Sequence, residues 1–174
     1  QIFARGLGAA RSNDVAGARK DVARLHSLQE AMIAAKIGYW ASQADFQITT
    51  VNAWIALAEN RHEEAVQLMR AAAELEEASD KHPVTPGNIV PSRELLAEML
   101  IALKQPGQAL AEFERSLKRD PNRFRAIYGA ARAAAAAGNH TAATDYYRHL
   151  QALTAARDSD RPELVQARQF LENK

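Results

Sequence analysis

The residues best equipped for chemistry are a His62-Glu63-Glu64 triplet, the carboxylate pairs Glu74 with Glu77 and Glu94 with Glu98, five histidines, and Gly6-Leu7-Gly8. A zinc hydrolase built on such a triplet needs its second histidine one helical turn on. That place is Val66, so two ligands cannot share a face. The triplet reads as the polar first turn of a helix, where acids are favoured by the helix dipole. Acid–base work by paired carboxylates requires one of them to be desolvated so that the two pKa values separate. Nothing in the surrounding sequence does this, and both pairs read as solvated helix faces. His26, His62, His82, His140 and His149 show no ligand spacing; only His82 stands in an irregular stretch, which leaves an enzyme or metal site around it as a third-ranked reading. Gly6-Leu7-Gly8 follows no strand and has Arg11 where a phosphate-cradling loop needs its third glycine, so close helix packing is the better account. Asn139-His140-Thr141 fits a glycosylation sequon. It reads better as a helical-hairpin turn, with His140 or Thr141 opening the next helix. No catalytic, cofactor-binding or metal-binding residue is assigned.

The elements that must position these residues are helical. Alanine is abundant, and apolar residues recur at three and four positions, as in Leu95, Leu96, Met99, Leu100 and Leu103. No stretch alternates with a period of two, and no Asn-Gly or Asp-Gly hairpin turn occurs. The 174 residues are 47% hydrophobic and 25% charged, ordinary for a globular chain. With 22 basic against 21 acidic residues the net charge is +1, which offers no footprint for a nucleic acid. No apolar run is long enough to cross a bilayer, so membrane insertion is not expected. The absence of cysteine removes disulfides and thiolate chemistry but does not distinguish the cytoplasm from an exported location. The opening Gln1-Ile2-Phe3, without methionine, reads as a processed chain or a fragment, with further repeats expected upstream.

Self-similarity sharpens this picture. Ala109 and Phe113 recur as Ala143 and Tyr147, roughly 34 residues later, each pair following a helix-turn segment: LKQPGQALAEF and AAGNHTAATDYY. From Val90, the segment supplies Leu96, Ala97, Ala109, Phe113, Ser116 and Pro121, with Arg93 departing from the bulky residue usual at its place. From Phe124, it supplies Ile127, Ala130, Ala131, Ala143, Tyr147 and Leu150, lacking a closing proline. Two earlier segments are degenerate versions, GLGAARSNDVAGARKDV with Gly6, Ala18 and Val22, and WIALAENRHEEAVQLM with Ala53, Ala65 and Met69. In these residues the chain resembles the tetratricopeptide repeat family, and DKHPVTPGNIVPSREL with NRFRAIYGAARAA resembles the C-terminal repeat region of bacterial members of unassigned function. The resemblance implies an all-α, tetratricopeptide-like α-solenoid of about four helical hairpins plus a C-terminal capping helix. The expected units are 1–36, 38–80, 90–123 and 124–157, with a capping helix over 161–173 and a proline-rich inter-repeat loop over 81–91, all in one domain. Breaker-free runs from Val15 to Lys36 and from Gly38 to Glu59 predict two lengthened helices of about 22 residues, or about 33 Å, forming a long hairpin arm. Asp158-Ser159-Asp160 before Arg161-Pro162 reads as the N-cap signal of the last helix.

The resemblance also implies a function: a non-catalytic protein- or peptide-binding scaffold that uses the concave groove. Carried over by position, the groove would include Gln47, Thr50, Trp54, Glu94, Glu98, Arg125, Tyr128 and Arg132. His82, Thr85 and Asn88 of the proline-rich loop would stand at its rim. Two alternatives compete at these positions: Glu94 and Glu98 pairing with Arg125 and Arg132, and Trp54 packing into the core. The Lys/Asn clamp by which some relatives hold a carboxylate tail is not expected, since the equivalent positions are Glu, Tyr, Arg and Thr. The partner is a protein or peptide, with no cofactor. The alternative function is structural self-association through the long arm and the open end repeats, giving a homo-oligomer.

Overall fold

The computed structural model describes residues 1–79, 88, 90–155 and 160–173. Every regular element among them is an α-helix: α1 (Ile2–Arg11), α2 (Val15–Ala34), α3 (Gly38–Ala58), α4 (His62–Ala78), α5 (Ser92–Ala102), α6 (Pro106–Arg119), α7 (Phe124–Ala136), α8 (His140–Thr154) and α9 (Pro162–Glu172). The two breaker-free runs form helices of 20 and 21 residues. None of the described helices is long and apolar enough to cross a membrane. The chain divides into two compact units, Gln1–Ser92 and Arg93–Lys174.

In the first unit α3 is the central element, packed against α1, α2 and α4. Its sequence carries a single charge, Asp45, so it can be buried on several sides, and Phe46, Ile48, Val51, Trp54 and Ile55 all are. The partners approach closely because they offer alanine: Ala18 of α2 and Ala65 of α4 are wholly buried. Between α1 and α2, Arg5 grips the carboxylate of Asp21 through both oxygens, Nε to Oδ2 at 2.8 Å. That hydrogen bond holds the Asp21 carboxyl below the ordinary aspartate range. Gly6 fits beneath this pair, since a Cβ there would stand 3.0 Å from the Asp21 Cβ. Gly8 has open space around its Cβ position, so close packing accounts for only one of these two glycines.

In the second unit α6 packs on α7, α7 on α8, and α8 on α9. The repeat's small residues, Ala97, Ala109, Ala131 and Ala143, are fully buried, and Phe113 and Tyr147 fill the space beside those approaches. Gly129 makes the tightest fit: a Cβ on it would fall 2.2 Å from the Phe113 Cζ. Leu164 and Ala167 of α9 close the core formed by Ile127, Ala131, Tyr147 and Leu150, while Gln166 and Gln169 remain exposed. The start of α9 differs from the sequence expectation. Arg161 occupies the N-cap with no side-chain cap bond, Pro162 opens the helix, and Asp158 and Ser159 lie outside the described residues.

One turn geometry recurs through both units. Asn13, Lys36, Asn60, Lys104 and Gly138 each adopt a positive φ, between 58° and 76°. The amide that follows each of them donates back to a carbonyl in the last helical turn, as in Asp14 N–H to Ala9 O and Gln105 N–H to Leu100 O, both at 2.9 Å. This is the closure expected when a left-handed residue ends a helix. It turns the chain sharply enough for the next helix to fold back antiparallel. Asn139 then caps α8 by accepting from Ala142 N–H at 3.1 Å, and His140 opens that helix.

Candidate partner-binding face

The motif register assigned eight residues to a ligand surface, and the structure sorts them by exposure. Thr50 and Trp54 lie on the wrapped side of α3 and are buried. Thr50 exchanges a hydrogen bond with Ser92 Oγ at 3.3 Å, within the first unit. Trp54 packs into the core, with the Arg11 guanidinium 4.6 Å from its ring centre. Gln47 is half-buried one turn ahead of Thr50. The long, almost uncharged α3 causes this, because a helix apolar on several faces has little side left for solvent.

In the second unit Glu94 is 1% exposed and joins the Nε–H of Arg123, while Glu98 accepts from Arg125 at 2.6 Å. The acids of α5 therefore pair at the start of α7, with its N-cap Arg123 and with Arg125 of its first turn. The expected partner Arg132 takes no part in this pairing. Its guanidinium instead stacks 5.5 Å from the Tyr128 ring centre. The remaining Glu94 oxygen, Oε2, is buried with no hydrogen-bond partner among the described residues. Deeper in the unit Arg93 and Glu112 form a buried pair at 2.8 Å. Arg93 departs from the repeat's usual bulky residue, and this pairing is what makes the cation tolerable there.

One helix thus carries the exposed part of the assigned set. Arg125 and Arg132 are exposed and Tyr128 is half-buried, while Ala126, Ile127, Ala130, Ala131, Ala133 and Ala134 on the other sides of α7 are wholly buried. The spacing of three and four places Arg125, Tyr128 and Arg132 on one stripe. Tyr128 O–H donates to Gln166 Oε1 of α9, which holds the ring in place. Arg161, which the motif register did not assign, lies at 5.0 Å over the Phe124 ring, one turn from Tyr128. An aromatic one turn before Tyr128 was a readable signal, but its cation comes from a different repeat position.

Of the loop-rim residues, Asn88 is described: its Nδ2 donates to Glu76 Oε1 at 2.8 Å, and Glu76 Oε2 accepts from Ser92 N–H at 2.6 Å. Asn88 is thereby engaged in fastening the start of α5 to α4. His82 and Thr85 lie outside the described residues. Among the described residues no group of three or more His, Asp or Glu side chains could hold a metal ion.

Comparison with known proteins agrees with the local architecture. The Tetratricopeptide repeat family model matches residues 90–123, the segment containing α5 and α6. No curated protein matches the chain. Among solved structures, PcrH from Pseudomonas aeruginosa is similar, with 18% sequence identity and a TM-score of 0.55. The match covers 74% of this chain and 90% of that one. At that identity the likeness speaks for the fold, which is an all-α, tetratricopeptide-like helical repeat.

Proposed function

We propose that this tetratricopeptide-repeat chain is a non-catalytic protein-binding module that recognises a peptide or protein segment on the exposed stripe of α7. The observation that carries this reading is the contrast across that helix. Its alanine-rich sides are sealed in the core, and its solvent side offers Arg125, Tyr128 and Arg132, residue types over-represented among interface anchors. A stripe fixed on a packed helix loses little conformational freedom on binding, which favours affinity. Selection of random displayed peptides on the immobilised chain tests the reading. Selected peptides should bind the Tyr128→Ala, Arg132→Ala double variant at least about tenfold more weakly, since anchor truncations cost roughly 2 kcal/mol, with helicity unchanged by circular dichroism. Equal affinity would remove α7 as the binding face.

A second reading, self-association through the α2–α3 hairpin, has its own support. Leu28, Ile33, Ile37 and Trp40 at the hairpin tip are all exposed, with Ile33 at 60%. Light scattering across a concentration series separates the readings: a constant monomer mass removes self-association.

A further inference from the structure

Resting on the partner-binding reading, we infer that the segment recognised by α7 is acidic, and that Arg132 and Arg161 are its anchoring cations. The inference starts from the local charge balance. Glu94 and Glu98 are each matched by an arginine, Arg123 and Arg125. Arg132 and Arg161 are both exposed, and each guanidinium lies over an aromatic ring: Arg132 on Tyr128 and Arg161 on Phe124. Among the described residues neither forms an ion pair with a carboxylate, although Asp160 and Glu163 flank Arg161 in sequence.

Phe124, Tyr128 and Arg132 follow one another at four-residue intervals on one side of α7, so the two rings that carry the stacked guanidiniums stand one helical turn, about 6 Å, apart. Stacking on a ring orients a guanidinium and leaves its N–H fork facing solvent. That fork matches a carboxylate with two parallel hydrogen bonds. Two such forks on rings about 6 Å apart fit carboxylates about two residues apart, on one side of an extended segment that advances roughly 3.3 Å per residue. A basic segment would meet two cations that have no carboxylate partner among the described residues, and a neutral one would offer their forks no charge.

The test uses the full chain and two fluorescein-labelled peptides with a Gly/Ser framework. One carries four glutamates at alternate positions, and the other carries glutamine at the same places. Fluorescence anisotropy should show saturable binding of the glutamate peptide at 50 mM salt, and binding of the glutamine peptide at least about tenfold weaker. Arg132→Gln with Arg161→Gln should lower glutamate-peptide affinity about tenfold, a few-fold per exposed charge-assisted contact. Arg119→Gln, the loss of an exposed arginine elsewhere in the unit, should stay within about twofold. Phe124→Leu, which keeps both charges and removes a stacking ring, should give an intermediate loss. Absence of saturable binding, equal binding of the two peptides, or an equal effect of Arg119→Gln would overturn the inference. Failure of the inference is distinguishable from failure of the reading beneath it. If neutral peptides selected by display still depend on Tyr128, the α7 face stands and the acidic preference falls; if no selected peptide depends on α7, both fall.

Discussion

Gly129 is the position where a single methyl group should do the most damage. A Cβ there would stand 2.2, 2.4 and 2.7 Å from three carbons of the Phe113 ring, all well inside van der Waals contact. Phe113 is 2% exposed and cannot swing into solvent, so either the ring leaves its rotamer or α6 and α7 separate. Overpacking of this kind costs roughly 1–3 kcal/mol, and three simultaneous overlaps argue for the upper end. Alanine in place of glycine inside a helix returns about 1 kcal/mol of propensity. The expected net effect of Gly129→Ala is therefore about 2 kcal/mol of destabilisation, read as a lower urea midpoint by circular dichroism. Adding Phe113→Leu should recover part of that loss, with a favourable coupling of about 1 kcal/mol or more in the double-mutant cycle. A neutral or stabilised single variant, or strict additivity in the double, would refute the packing argument. Gly129 follows Tyr128 directly, so a shift of α7 would also displace the stripe on which partner binding is proposed.

Other perturbations follow from the same geometry. Arg93→Met should destabilise by about 3 kcal/mol, because it removes the close partner of the buried Glu112 carboxylate and leaves Arg115 at 3.8 Å, and adding Glu112→Leu should restore most of the loss. Chemical denaturation of the three variants measures this. Lys104→Gly should stabilise by about 0.5 kcal/mol, since lysine bears a left-handed strain at φ 58° that glycine escapes, partly offset by the freer unfolded chain. The Asp21 carboxyl is held below its ordinary value by Arg5, so its stabilisation is present above the unfolded aspartate pKa of about 3.9 and is lost as pH falls through the lowered folded value. Acid titration should accordingly give a shallower stability loss in Asp21→Asn than in the parent chain over that window. Tyr146 is pushed up to about 12 by burial and by its hydrogen bond to Glu114. Stability from this group should persist below pH 10 and decline between about 10 and 12, a decline that Tyr146→Phe removes.

The parts of this architecture that were legible in sequence are those that depend on residue size and period. Ala97, Ala109, Ala131 and Ala143 announced close helix crossings, and they are buried in them. Asn139 announced a helix start and caps one. What stayed hidden depends on placement in three dimensions. Lys36 and Lys104 carry no turn signature, yet they take the left-handed position that glycine fills at Gly138, because the repeat's geometry imposes the turn whichever residue is there. Gly129 matches no signal in the sequence, because its constraint is the Phe113 ring that another helix sets against it. The motif register placed Thr50 and Trp54 on a ligand surface, but register says nothing about how many sides of a nearly uncharged helix will be covered. Glu94 was paired by proximity along the expected surface, whereas its partner is Arg123, just ahead of the first residue of α7. The stacked Arg161 belongs to the end of the chain, and no repeat spacing links it to Phe124.

The most direct test of the central claim is an amide NMR titration of the chain with a peptide selected by display. Binding on α7 predicts saturable shift changes concentrated over residues 124–132 and 161–166. Changes confined to the α2–α3 hairpin tip around Ile33, Ile37 and Trp40, with α7 unmoved, would contradict it.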